Sequence, residues 1–174
     1  SAVLQASLGA ARGLGVPVDV SLGPVASGVS VEWSAVMKAL TSFGGADGVV
    51  LETFVRGRDP VDAVRACRSG WGGRLVACLT PGPGGLLWDG DDPAPWLAAA
   101  RAAGATSVGF NCGPGVVAAA LRCPVDRVKP NCADAEHDAL IAALPTLIAG
   151  GLREVGGCCG TGPPELARII RGLA

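Results

Sequence analysis

Apolar runs of similar length recur along the chain at regular intervals. Six short runs rich in Val, Leu and Ile start about 25 to 30 residues apart, which is the spacing of β-α-β units. Because these runs show little alternation of apolar and polar positions, we predict strands that are buried on both faces of a parallel sheet. The predicted strands cover residues 16–21, 48–53, 75–80, 105–111, 126–130 and 152–156.

Helices are predicted between these strands. Asp59-Pro60 and Asp92-Pro93 each place an acidic N-cap residue before a proline at the first helical position, where the missing N–H costs nothing. Pro145 is expected to kink the helix in which it lies. The predicted helices are 2–13, 30–43, one after each Asp-Pro pair, 115–122, 135–149 and 164–173.

A leading helix followed by six strand–helix units is compatible with two α/β folds. One is an open doubly wound sheet, and the other is most of a (β/α)8 barrel. In both folds the functional side chains gather at the carboxyl ends of the strands, because loops and helix N-termini meet there. The chain of 174 residues suits one core, so we predict a single domain spanning residues 1–174.

The net charge indicates which classes of partner to expect, and the cysteines indicate the redox compartment. The net charge of −1, without a cluster of Lys or Arg, is not typical of a protein that binds nucleic acid or an anionic membrane. No apolar run approaches the roughly 18 residues that a membrane-spanning helix needs, so small molecules are the expected partners. The cysteine count is an odd seven, and Cys67 and Cys78 lie inside apolar segments, which favours free thiols in a reducing, cytoplasmic compartment.

Three other cysteines lie at the ends of predicted strands. Cys112 ends the fourth strand, Cys158 and Cys159 end the sixth, and one strand lies between them. Neighbouring strands are about 4.8 Å apart, so these side chains can converge across roughly 10 Å. Three thiolates suit zinc and leave one tetrahedral position open, as in catalytic zinc sites. A substrate thiol in that position would lose its proton at neutral pH and become a nucleophile.

The adjacent cysteines also have two simpler explanations. Cys158 and Cys159 could form a strained disulfide, or they could pack as small residues in a tight turn. The third cysteine at a matching strand end favours the metal site instead. So does the Gly156-Gly157 pair, which allows backbone and metal to approach closely.

The segments around these cysteines resemble a known family. GFNC at 109–112 and GGCCGTGPPE at 156–165 resemble the zinc-dependent homocysteine S-methyltransferases, which include betaine, S-methylmethionine and cobalamin-linked enzymes. SLGP at 21–24, DGVVLET at 47–53 and KPN at 129–131 are similar to the family's third, fourth and seventh strands. The resemblance implies a (β/α)8 TIM barrel that methylates homocysteine to methionine. The implied methyl donor is S-methylmethionine, S-adenosylmethionine or betaine.

The resemblance also implies roles for individual residues. The family's three zinc ligands match Cys112, Cys158 and Cys159. Glu52 matches an acid that contacts the homocysteine ammonium, and such a buried ammonium needs a paired charge. Thr53 is a weaker companion of Glu52, and Asn111 would orient the loop or a zinc-bound ligand through hydrogen bonds.

The sequence departs from the family at its N-terminal end. If SLGP is the third strand, the first two strands are absent, and barrels usually need about 250 residues. We therefore expect an N-terminally truncated, incomplete barrel of about six strands, whose open edges would pair with another copy or a partner chain. Cys132, which follows KPN, is expected to be a packing residue. It is also the first candidate if a fourth protein sulfur closes the zinc site, which would make the site structural.

Two alternative functions remain open. The missing strands would suit a non-catalytic zinc-binding barrel remnant or subunit. GPGVVA at 113–118 has the form of a dinucleotide-binding turn and would suit a nucleotide- or phosphate-binding α/β protein. Pro114 in that turn, and the lack of an acid ending a clear strand about 20 residues later, weigh against this second alternative.

His137, the sole histidine, lies in a polar run and is predicted on a solvated helix face.

Overall fold

The computed structural model describes residues 12–13, 15–24, 32–43, 46–131 and 136–173. Within these ranges six strands alternate with α-helices. The strands are β1 Asp19–Leu22, β2 Gly48–Phe54, β3 Arg74–Leu79, β4 Ser107–Asn111, β5 Arg127–Lys129 and β6 Glu154–Val155. The helices are α1 Trp33–Phe43, α2 Arg58–Arg68, α3 Pro93–Ala102, α4 Val116–Arg122, α5 Glu136–Ala149 and α6 Pro163–Arg171. The predicted leading helix 2–13 lies almost entirely outside the described residues.

All five strand pairings are parallel, and the order in the sheet is the order along the chain, from β1 to β6. A doubly wound sheet would reverse its strand order at a switch point, and this sheet does not. Arg74 on β3 donates across the inner face to Glu154 on β6, with Nη1 2.7 Å from Oε1, so the sheet curls. The expected incomplete TIM-barrel-like fold of six parallel strands is confirmed.

The two faces of the curled sheet differ in composition. The outer face packs on the helices and carries the main apolar core, including Leu51, Leu75 and Phe110. On the inner face Val50, Val76 and Cys78 form a separate small cluster. Burial raises the pKa of Cys78 to about 12, so this thiol packs as a small apolar residue. The remaining inner positions are largely polar or charged, and they line the concave face of the sheet.

The two Asp-Pro pairs begin their helices differently. Asp92 is the N-cap of α3, as predicted, and its Oδ1 accepts a hydrogen bond from the Ala94 N–H at 2.9 Å. The prediction for Asp59 was wrong, because α2 already begins at Arg58 and places Asp59 in its first turn. An acid in the first turn still faces the positive end of the helix dipole. Helix α5 runs through Pro145 as one helix.

Candidate metal centre

Three sulfur atoms converge at the carboxyl ends of β4 and β6. The Sγ of Cys112 lies 2.7 Å from that of Cys158 and 3.5 Å from that of Cys159. All three sulfurs lie within 4.8 Å of one another, and none is in a disulfide. Sulfur ligands about 2.3 Å from a tetrahedral zinc would lie about 3.8 Å apart, which falls inside this range. The three side chains therefore fit a single zinc ion and leave its fourth position to another ligand.

Strand β5 ties the two cysteine loops together through its backbone. The Lys129 carbonyl accepts a hydrogen bond from the Cys112 N–H at 3.0 Å, and the Pro130 carbonyl accepts one from the Cys158 N–H at 2.9 Å. Cys112 has a φ of 67°, in the left-handed region that non-glycine residues rarely adopt. Such a conformation costs about 1 kcal/mol or more and persists where the surrounding structure imposes it. The backbone thus holds the two cysteine loops close to each other.

The thiol of Cys112 keeps its proton at neutral pH when no cation is bound. Burial, followed by its hydrogen bond with Cys158, raises the pKa of Cys112 to about 12. A divalent cation reverses this preference because thiolates, not thiols, are its ligands. Metal binding at this site is therefore expected to release protons.

Asn111 connects the metal centre to the end of β2. Its side chain is fully buried, and its Oδ1 accepts a hydrogen bond from the Thr53 N–H at 2.9 Å. Its Nδ2 donates to Thr53 Oγ1 at 3.0 Å and lies 3.8 Å from Cys158 Sγ. Thr53 has a φ of 71°, so both strand ends that meet at Asn111 carry a non-glycine residue in the left-handed region. The Asn111 side chain therefore connects the cysteine loops to the end of β2, the strand that carries Glu52.

Glu52 lies in a polar cluster on the inner face near the same rim. Its Oε1 accepts a hydrogen bond from Ser21 Oγ at 2.6 Å, and its Oε2 pairs with Lys129 Nζ at 3.0 Å. The Glu52 and Lys129 side chains are 14% and 20% exposed. Burial works against ionisation, but the bonds from Ser21 and Lys129 and the nearby positive charges outweigh it and lower the pKa of Glu52. Glu52 is therefore an ionised carboxylate at neutral pH.

The lowered pKa of Glu52 predicts a pH effect on folding. Its contribution to the free energy of unfolding is complete above the ordinary value of 4.5 and is lost as the pH falls through the lower folded-state pKa. Glu52→Gln should therefore lower stability at pH 7 and flatten the loss of stability below pH 4.5. Urea unfolding of both proteins across this pH range measures the effect. Parallel pH profiles for the two proteins would contradict it.

His137, the only histidine of the chain, is buried in the structure. The prediction of a solvated helix face was wrong, because His137 is 5% exposed and its Nε2 lies 3.1 Å from Thr161 Oγ1. The Thr161 N–H in turn donates to the Cys158 carbonyl at 3.1 Å, so His137 supports the turn that carries the cysteine pair. His137 precedes the buried Leu140 and Leu144 by three and seven positions, which is helical spacing. This spacing indicates burial on the same helix face, whereas the polar residues next to His137 in the sequence suggested exposure.

The glycines near the cysteines are explained by close packing. A Cβ on Gly157 would lie 2.1 Å from Cγ2 of Thr161, so the second glycine of the Gly-Gly pair makes room for that side chain. A Cβ on Gly113 would lie 1.9 Å from the Pro81 carbonyl oxygen.

The Val117 N–H at the start of α4 donates to Glu136 Oε2 at 2.9 Å. A carboxylate therefore stands where a phosphate would bind, which weighs against the nucleotide-binding alternative.

The described residues assemble most of the predicted site. Cys112, Cys158, Cys159 and Asn111 lie together, and Asn111 links them to Thr53, next to Glu52. Cys132, the candidate for a fourth sulfur if the site were closed, lies outside the described residues. Lys129 belongs to the KPN segment, but no role was predicted for its side chain. Its alternation with Arg127 on β5 places both side chains on the inner face, and this was the available signal.

The profile of the family described as homocysteine S-methyltransferase matches residues 31–173. The chain therefore belongs to the homocysteine S-methyltransferase family. No curated protein matches it in sequence. None of the helices in the described residues combines the length and the apolar character that a membrane span requires.

Solved structures of the homocysteine methyltransferase MmuM from Escherichia coli share the fold. The apo form aligns with a TM-score of 0.70 at 25% identity, covering 90% of this chain and 63% of that protein. The metallated form aligns with a TM-score of 0.68 at 22% identity, covering 95% and 64%. The oxidised form aligns with a TM-score of 0.59 at 23% identity, covering 84% and 54%. The alignments thus span between 54% and 64% of the length of that protein, which is less than two thirds.

Proposed function

We propose that the protein carries out zinc-dependent methyl transfer to the thiol of homocysteine, giving methionine. The convergence of Cys112, Cys158 and Cys159 at one rim of the half-barrel carries this proposal. Membership of the homocysteine S-methyltransferase family and the likeness to MmuM support the same substrate. The proposed methyl donor is a sulfonium or ammonium compound, namely S-methylmethionine, S-adenosylmethionine or betaine.

The three sulfurs would hold zinc, which when bound supplies a Lewis acid that ionises a thiol at neutral pH. The chain's own residues would position that thiol. Glu52 provides an ionised carboxylate for the ammonium group of homocysteine, and Ser21 orients that carboxylate through Oε1. Thr53 and Asn111 would fix the distance between the carboxylate and the cysteine loops, because their hydrogen bonds connect the two. We further propose a reducing cytoplasmic setting, which would keep the three thiols free.

Methionine formation from homocysteine tests this function. The purified protein, reconstituted with zinc, is incubated with homocysteine and each of the three donors in turn, while zinc content and solution mass are measured in parallel. We expect one bound zinc per chain and methionine from at least one donor, both lost on treatment with a strong chelator. Zinc binding without methionine from any donor would instead select the non-catalytic zinc-binding alternative.

The mass measurement tests whether another chain pairs with β1 and β6, the edge strands of the sheet among the described residues. A second copy or a partner chain paired with these edges would raise the solution mass above that of one chain of 17.2 kDa. A monomer with full activity would contradict the expectation that another chain completes the barrel.

A further inference from the structure

We propose that Lys129 binds the carboxylate of the amino-acid substrate while Glu52 binds its ammonium. This inference rests on the proposed function and adds to it a residue that determines substrate class. Under it, the protein recognises the zwitterionic head of an α-amino acid as well as a thiol. A thiol that lacks either charged group is then a poor ligand.

The geometry of the pair matches such a head group. Lys129 Nζ and Glu52 Oε2 lie 3.0 Å apart, and both side chains are largely buried on the inner face. An α-amino acid carries its ammonium and carboxylate roughly 3 Å apart on one carbon. When the ligand lies against the pair, its carboxylate meets the Lys129 ammonium and its ammonium meets the Glu52 carboxylate. The four charges then alternate in sign, and each has two opposite neighbours. The ligand therefore need not break the ion pair completely in order to bind.

Both members of the pair have hydrogen-bonding capacity left. Lys129 has three ammonium donors, and Glu52 is its only hydrogen-bonding partner among the residues that the structure describes. Each carboxylate oxygen of Glu52 accepts one bond and can accept a second. A buried ion pair with unused donors is expensive to desolvate and contributes little stability by itself. An additional anion at Lys129 would use those donors.

The position of Lys129 places this head-group site beside the sulfurs. The carbonyl oxygen of Lys129 itself accepts the hydrogen bond of Cys112, and the next carbonyl accepts that of Cys158. A ligand held by the Lys129 side chain is thus adjacent to the loops that carry the metal ligands. By contrast, Arg127 lies two residues earlier on β5 and pairs with Glu154 at 3.1 Å, towards the amino ends of the strands.

Binding of three thiols to the zinc-loaded protein tests the proposal. The ligands are homocysteine, 3-aminopropane-1-thiol, which lacks the carboxylate, and 4-mercaptobutanoate, which lacks the ammonium. Isothermal titration calorimetry gives the dissociation constants. In the unaltered protein each truncated thiol should bind at least about tenfold more weakly than homocysteine, since each loses a charge-assisted hydrogen bond.

Variants of Lys129 separate the proposed role from a purely structural one. Lys129→Met should bring the affinities for homocysteine and 3-aminopropane-1-thiol close together, because the carboxylate no longer has a partner. Lys129→Arg keeps the charge and should keep the preference for homocysteine. Arg127→Met is the matched control: it removes a similarly buried inner cation from the same strand, and it should reduce stability without changing the affinity ratio.

The outcomes separate this inference from the proposed function. If the unaltered protein binds all three thiols equally, the thiol site stands and the role of Lys129 is wrong. If Lys129→Met folds and keeps the full preference for homocysteine, the role is also wrong. If the unaltered protein binds no thiol, the proposed function itself fails, and this inference fails with it.

Discussion

Replacing Cys158 with serine is expected to abolish stoichiometric zinc binding and methyl transfer together. A serine hydroxyl is a far poorer zinc ligand than a thiolate. The Cys158 sulfur also lies closer to that of Cys112 than the Cys159 sulfur does, and it contacts the Asn111 amide. Loss of a residue that merely supports a ligand lowers metal affinity by about 10- to 100-fold. Loss of one of three sulfur ligands should exceed the upper end of that range. Competition with a chromophoric chelator measures the affinity.

Cys123→Ser is the matched control for this experiment. Cys123 is buried at the end of α4, away from the metal centre, and its Sγ bonds to the Ala119 carbonyl within its own helix. A serine hydroxyl can make the same bond, so this variant should keep one zinc per chain. If Cys158→Ser retained stoichiometric zinc under conditions in which both variants are folded, the assignment of the metal centre would be wrong.

Replacing Asn111 with alanine should produce the second large effect, on both stability and metal affinity. The variant removes the bonds to the backbone and hydroxyl of Thr53 and the contact with Cys158, and it leaves a small cavity. We expect a loss of about 2 to 4 kcal/mol in the free energy of unfolding. Zinc affinity should fall about 10- to 100-fold, because Cys158 loses a neighbour that orients its loop.

Ser107→Ala is the control for Asn111→Ala. Ser107 lies on the same strand and face and is 7% exposed, and its hydroxyl is buried without a hydrogen-bonding partner among the described residues. Removing such a hydroxyl should leave stability unchanged or slightly raised, with zinc affinity intact. Urea unfolding and chelator competition on both variants make the comparison. Equal effects of the two substitutions would show that any polar loss on β4 disturbs the site, contrary to a specific role for Asn111.

The strands were predictable from the sequence because most of them are apolar runs between polar segments. The runs at 48–53 and 75–80 correspond closely to the observed strands Gly48–Phe54 and Arg74–Leu79. The convergence of cysteines was also predictable, since parallel strands present their carboxyl ends at one rim. Residue patterns left the choice between a doubly wound sheet and a barrel open. The curl that decides it depends on inner-face contacts such as the one between Arg74 and Glu154.

The contacts that the sequence did not reveal join residues far apart in the chain. Glu52 and Lys129 are separated by 77 positions, and their pairing depends on how far the sheet curls. His137 was misjudged because its immediate neighbours are polar, although its burial is set by the helical spacing to Leu140. The start of α2 was misplaced because Asp59-Pro60 was taken to mark the N-cap, whereas the helix already begins at Arg58.

Zinc K-edge X-ray absorption on the zinc-loaded protein tests the central claim most directly. The account predicts three sulfur ligands at about 2.3 Å and one lighter oxygen or nitrogen ligand in the absence of substrate. Addition of homocysteine should replace the lighter ligand with a fourth sulfur. Two or fewer protein sulfurs, four sulfurs before any substrate is added, or an unchanged spectrum with saturating homocysteine would contradict it.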